Sequence, residues 1–473
     1  MSDSFDAVVV GSGPNGLAAA ITLAQIGLSV QVIEAEDTIG GGMRSAELTL
    51  PGFTHDICSA IHPLALASPF LSSLPLAEHG LELLQPGVPV AHPLDDGRTA
   101  VLEISVPQTA SHLGRDADEY VKLMAPFVRS YQHLVEQFLG PARLPKHPVS
   151  AGRFGVHAIR SAKGLTTMFE DDRARALIAG VAAHSILPLD RLATGGFGLI
   201  LAILGHAVGW PVAKGGSQSL ANALVSILES HGGKVVTGRR VESLDDVPDH
   251  KALLLDLGPR QLEQIAGDKL PKPYLFLLRR YRYGPSVFKV DWALDGPVPW
   301  KNRFCREAGT VHLGGTFEQI AASERAVWEN RHVDRPYCII AQQSVADPSR
   351  APEGKSTLWG YCHVPNGYDV DMTDAIEDQI ERQAPGFKDL ILARTTQTPA
   401  QLEQHNANYI GGDINGGVQD LRQLFTRPVP RIDPYSTPVD GLYLCSSSTP
   451  PGGGVHGMCG HHAALSAIKK QFR

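Results

Sequence analysis

The sequence predicts an α/β protein: a parallel sheet begun by a βαβ unit at the N-terminus and interrupted by inserted α+β segments. Three observations carry that prediction. Residues 6–10, DAVVV, are rich in β-branched residues, as in a strand buried on both faces of a parallel sheet. GSGPNG follows and opens a helical pattern, LAAAITLAQIG, that ends at Gly27; a second strand, LSVQVIE, closes on Glu34. Much later, KGGSQSLANALVSILESHGGKVVTG and ALLLDLGPRQL add helix and strand patterns that fit the same sheet.

Each piece of the first unit has a physical task. Gly11, Gly13 and Gly16 stand in GxGxxG spacing. The first glycine permits a tight turn, the second lets the backbone approach a pyrophosphate, and the third lets helix and strand pack closely. Pro14 and Asn15 lie at the helix start, where unpaired N–H groups and the helix dipole favour phosphate. Glu34, followed by Ala35, can accept hydrogen bonds from a ribose diol, and its charge disfavours a 2′-phosphate. Strand, glycines, helix, strand and terminal acid in this order point to a bound dinucleotide. IGGGMRSAEL then supplies a second glycine group, Gly40, Gly41 and Gly42, followed by Met43 and Arg44.

In the third block, Ser217 is an N-cap candidate, and Leu220, Leu224, Ile227 and Leu228 make an apolar face before Gly232 and Gly233 end the helix. Between 75 and 205 the patterns are predominantly helical, and Glu119 belongs to a solvated helix face. Residues 273–365 are strand-rich, and no 20–50-residue repeat or long low-complexity linker is visible. The uncharged run 192–213 approaches the length of a membrane span, but five glycines, a histidine and a proline interrupt it. A buried helix lining a cavity or packed under a sheet is the first reading; peripheral membrane contact is the second.

The 473 residues are 43% hydrophobic and 19% charged, which fits a folded chain rather than a disordered one. A net charge of −7 without a Lys/Arg run argues against nucleic acid as a partner. The six cysteines form no CxxC, which gives no support to a dithiol pair or zinc knuckle. The N-terminal residues lack the basic and apolar regions of a leader, so the expected location is cytoplasmic.

With these blocks in hand, the chain resembles the phytoene desaturase-like FAD-dependent flavoproteins, a carotenoid desaturase/isomerase-like group related in fold to the monoamine oxidases. The resemblance rests on VVVGSGPNGLAAA, IGGGMRSAELTLPGFTHD, KGGSQSLANAL with a strand ending at Val241, DPSRAPEGK, APGF, YIGGDINGG and GLYLCSSSTPPGGGVHGMCGHHAAL. It implies a Rossmann-like FAD-binding domain of the glutathione reductase/amine oxidase type, with an inserted α+β substrate domain. The expected boundaries are 1–75, 206–270 and 435–473 for the first, and 76–205 and 271–434 for the second. By the same resemblance, the glycines with Glu34 hold the ADP half of one non-covalent FAD, and Val241 contacts adenine. The closing block, with Ser446, Ser447, Gly454, Val455, His456 and Met458, holds the ribityl–isoalloxazine half. Ser446-Ser447 stand where relatives often carry Gly-Asp, so hydroxyls and backbone replace a carboxylate.

The GGGVHGMCG turn suits backbone N–H donors at a helix start, which stabilise charge on a reduced flavin. His456, within it, is the acid/base candidate on the substrate side of the flavin. Cys445 and Cys459 read as packing residues and His461 and His462 as helix-face residues; no G-x-S-x-G elbow supports a Ser–His hydrolase. His55, Asp56 and His62 lack metal-ligand spacing and read as loop residues near the flavin edge. The expected activity is hydride transfer to flavin N5 from CH–CH or related C–H bonds of a largely apolar substrate. A polyene isomerase without net redox, an amine oxidase and a non-catalytic flavin-binding interaction protein remain open. Oxygen and a quinone both remain open as electron acceptor, and so does the oligomeric state.

Overall fold

The computed structural model describes residues 4–141 and 143–473; residues 1–3, the start of the stretch read for leader features, lie outside them. Two sheets organise the chain. The first has five parallel strands in the spatial order Leu442–Leu444, His250–Leu255, Phe5–Val10 (β1), Val30–Ile33 (β2) and Lys234–Val236. The continuous apolar run of β1 is explained by burial on both sides. Ala7 and Val9 enter one apolar cluster with the helix Pro14–Ala24 (α1), whereas Val8 and Val10 enter another with Leu262 and Ile265.

The second sheet has seven strands, ordered 391–397, 286–294, 356–364, 338–341, 308–313, 88–93 and 99–102. All its pairings are antiparallel except that of 308–313 with 88–93. The stretch 76–205 was read as predominantly helical, yet it supplies two of these strands, Val88–Pro93 and Thr99–Leu102. Both are six residues or fewer, too short for alternation to stand out from the neighbouring helical patterns.

The uncharged run forms the buried helix Thr194–Ala207, the first of its two readings. Its glycines permit close helix contacts. A Cβ at Gly196 would lie 2.8 Å from the Ala158 carbonyl oxygen, and one at Gly198 would lie 3.1 Å from Ala182 Cβ. Among the described residues, no helix is long and apolar enough to cross a membrane.

Two local expectations change. Ser217 occupies the N-cap position of helix Gln218–Ser230 but does not cap it with its side chain. Its hydroxyl instead donates to the Ser59 carbonyl at 2.7 Å. The strand placed before Val241 ends at Val236, and Val241 lies in irregular chain beyond it.

Candidate dinucleotide and substrate cavity

A cavity of about 670 Å³ extends from the carboxyl ends of the parallel strands to the second sheet. This is where an open α/β sheet places its ligands, because strand ends and helix N-termini converge there. Of the residues singled out in the sequence, Gly11, Gly13, Pro14, Asn15, Glu34, Ala35, Gly41, Gly42, Arg44, Val241, Ser446, Ser447, Gly454 and Val455 line it. Segments more than four hundred residues apart in the sequence thus meet around one space.

The glycine spacing has a steric cause. A Cβ at Gly16 would lie 2.0 Å from the Gly11 carbonyl oxygen, and one at Gly41 would lie 3.1 Å from Gly13 Cα. Gly11 and Gly40 have φ of +98° and +113°, a backbone region that side chains disfavour. Glu34, at the end of β2, accepts hydrogen bonds from the Ser12 N–H at 2.8 Å and the Ser12 hydroxyl at 2.5 Å. The strand-end acid is therefore tied to the loop that would carry the phosphates. Arg44 is buried, and it donates to the carbonyls of Gly41 at 3.0 Å and His405 at 2.9 Å. It is fixed in the cavity wall rather than free on the surface.

Five singled-out residues lie outside the cavity lining. Gly16 and Gly40 shape the turns behind it: the Gly40 N–H donates to Ser12 Oγ at 3.0 Å, and the Gly16 N–H donates to Asp256 Oδ2 at 2.9 Å. Met43 is fully buried in the core around α1. Met458 starts the last helix, Met458–Gln471, and its N–H donates to His456 Nδ1 at 3.0 Å.

His456 was expected on the substrate side of the flavin, but the structure turns it into the helix start. Nδ1 accepts a backbone proton, so the neutral ring carries its own proton on Nε2. Burial lowers its pKa to about 4. Part of the glycine content of the closing block also serves packing, since a Cβ at Gly460 would lie 1.7 Å from the Asn15 carbonyl oxygen. Ser446 lines the cavity, but its hydroxyl donates to the Leu257 carbonyl at 2.7 Å. That leaves Ser447 as the less committed of the serine pair.

The residues His55, Asp56 and His62 separate. His62 lines the cavity; its Nε2 lies 2.8 Å from Ser217 Oγ, and burial lowers its pKa to about 4. His55 and Asp56 lie behind it. Arg350, from the DPSRAPEGK block, joins Asp56 at 3.0 Å and Asp347 at 2.8 Å in a fully buried ion network. No group of three or more His, Cys, Asp or Glu suited to a metal occurs among the described residues. Cys445 and Cys459 are buried free thiols. Cys58 faces the cavity, and burial raises its pKa, which keeps it protonated.

Several lining residues had not been singled out. Asp256 follows the strand His250–Leu255 and sits against the phosphate loop, where a Cβ on Gly13 would lie 2.6 Å from its Oδ2. Burial raises its pKa to about 7, and the neighbouring Glu34 charge adds to the rise. Arg239 and Arg240 immediately precede Val241 in the lining. At the far end, Leu201, Trp210, Ile339, Ala341, Trp359 and Tyr361 form an aromatic and aliphatic wall. His184, in that wall, is held neutral by burial, which lowers its pKa to about 3. The Rossmann arrangement of β1, α1 and β2 would have directed attention to Asp256, because the adjacent parallel strand must end beside the glycine loop. The far wall had no comparable local signal.

The fold and cavity define an α/β protein with a Rossmann-type dinucleotide-binding domain. Residues 9–69 match the family described as NAD(P)-binding Rossmann-like domain. The chain is similar to the rat (Rattus norvegicus) pyridine nucleotide-disulfide oxidoreductase domain-containing protein 2, with 26% identity over 98% of this chain and 93% of that one. It is also similar to a phytoene desaturase (neurosporene-forming) of Rhodobacter capsulatus, with 25% identity over 96% of this chain and 92% of that one. Among solved structures, putrescine oxidase bound to putrescine shares the fold, with a TM-score of 0.63 and 17% identity over 99% of this chain and all of the other.

Proposed function

We propose that the protein is an FAD-dependent oxidoreductase that takes hydride from a C–H bond of a largely apolar substrate. The observation that carries this reading is the continuity of the cavity, from phosphate-loop glycines and Glu34 to a wall of Leu201, Trp210, Trp359 and Tyr361. The desaturase name of one relative adds support for CH–CH chemistry.

The residues fit the cofactor. The N–H groups at the start of α1 and the close glycine turns suit a pyrophosphate, and Glu34 suits an unphosphorylated ribose. When bound, FAD would supply the two-electron acceptor for the hydride. The chain's own contribution is positional. Arg44, pinned by two carbonyls, fixes a positive charge in the wall, while His62, His184 and His405 are held neutral by burial. The apolar wall excludes water and aligns a substrate by shape.

Reduction by substrate tests the reading. Under nitrogen, the protein with bound flavin should lose its visible absorption on addition of a conjugated or partly saturated polyene, and the product should be two mass units lighter per reaction. Bleaching by primary amines alone would favour an amine oxidase. A product of unchanged mass would favour an isomerase.

A further inference from the structure

The helix Pro148–Ala158 has no buried residue, although it carries Val149, Phe154 and Val156. Val149 and Val156 are 84% and 68% exposed, and Leu144, just before the helix, is 92% exposed. Ile159 and Leu192 extend this apolar surface. They adjoin each other because the Ala193 N–H donates to the Ile159 carbonyl at 3.0 Å.

Charge on the same segment is of one sign. Residues 137–169 contain no Asp or Glu but carry Arg143, Lys146, Arg153, Arg160 and Lys163, in a chain whose net charge is −7. Among the described residues, only Lys146 of these five forms a salt bridge, with Glu136 at 3.5 Å. Exposed apolar side chains beside unpaired cations suit an interface with apolar depth and an anionic surface. A second copy of the same face would set these cations against one another, so self-association through it is disfavoured.

We propose that this face, built on residues 143–163 and Leu192, docks the protein onto an anionic lipid bilayer. Apart from Leu192, it is separate from the uncharged run 192–213 that first suggested membrane contact, most of which is buried inside the protein. It also lies one helix from the cavity. The carbonyls of Ala158 and Arg160 pack on Gly196 and Gly195 of helix Thr194–Ala207, and Leu201 of that helix lines the cavity wall. The inference stands on surface chemistry alone and does not require the proposed activity.

Flotation of the full chain with lipid vesicles tests it. Phosphatidylcholine vesicles containing about a third phosphatidylglycerol should carry the protein at low salt, and pure phosphatidylcholine or high salt should release most of it. Arg153→Glu with Lys163→Glu should weaken binding by at least about tenfold. Val149→Ser with Val156→Ser should weaken it as well, because apolar insertion is lost. Unchanged thermal unfolding of both variants would show that the loss is not misfolding. Wild-type protein that stays with neither vesicle would overturn the proposal. So would charge-reversed protein that floats as well as the wild type, or a concentration-dependent dimer through this face without vesicle binding.

Discussion

At the scale of single residues, Asp256 and His456 show how burial and hydrogen bonding assign roles that residue type alone leaves open. Asp256 accepts the Gly16 N–H and has no cationic partner among the described residues, while Glu34 adds a second negative charge nearby. Its folded pKa of about 7 lies above the unfolded value of 3.8. The resulting stability is therefore full below about pH 4 and is lost as pH rises through about 7. Asp256→Asn should flatten this part of the pH–stability profile and stabilise the protein near pH 8 by roughly 1–4 kcal/mol, read by chemical unfolding. Equal slopes in variant and wild type would reject the assignment. A pyrophosphate on the same loop would favour the protonated acid, so FAD affinity should fall as pH rises through this range in the wild type only. For His456→Ala, loss of the bond to the Met458 N–H should cost about 0.5–2 kcal/mol, while bound cofactor and turnover stay unchanged. A large fall in turnover at full cofactor content would restore the acid/base role. Gly13→Val should fold yet retain no FAD on purification, since its side chain would enter the space of Asp256 and of the phosphate approach. Stoichiometric FAD in that variant would contradict the placement of the phosphates.

At the scale of elements, the contact between α1 and the last helix links the two ends of the chain. Gly457 and Gly460 let these helices approach until a Cβ would meet Ala18 Cβ at 2.8 Å or the Asn15 carbonyl oxygen at 1.7 Å. Gly460→Ala should therefore push the helices apart and destabilise the fold by about 1–3 kcal/mol, measured by urea unfolding, with weaker cofactor retention. An unchanged midpoint would show that the contact relaxes without cost. The βαβ unit was legible in the sequence because its signals are local: β-branched run, glycine spacing, helix, strand and terminal acid within about thirty residues. Asp256 was not, because it reaches the loop only through the pairing of β1 with a strand some 240 residues later. The tie of His456 to the backbone was not legible for a related reason. A histidine in a glycine-rich turn can face the cavity or return to the backbone, and the bond to Met458 decides. The strand expected to end at Val241 was drawn too long: pairing with β2 stops at Val236, and Gly238 turns the chain at φ +67°.

At the scale of the molecule, the two sheets divide the task. The parallel sheet presents strand ends and a helix N-terminus, and the seven-stranded sheet with its helices supplies the apolar wall. Neither alone explains the cavity: Thr310, Ile339 and Tyr361 come from one sheet, and Glu34 and Asp256 follow strands of the other. The glycine spacing foretold the first half, but the wall was beyond local reading because its residues converge from separate strands and helices. The central claim is that this shared cavity holds FAD. The most direct test is the visible absorption spectrum of the purified protein, followed by identification of the nucleotide released on heating. The account predicts an oxidised-flavin spectrum and about one FAD released per chain. A colourless protein that takes up no added FAD would contradict it.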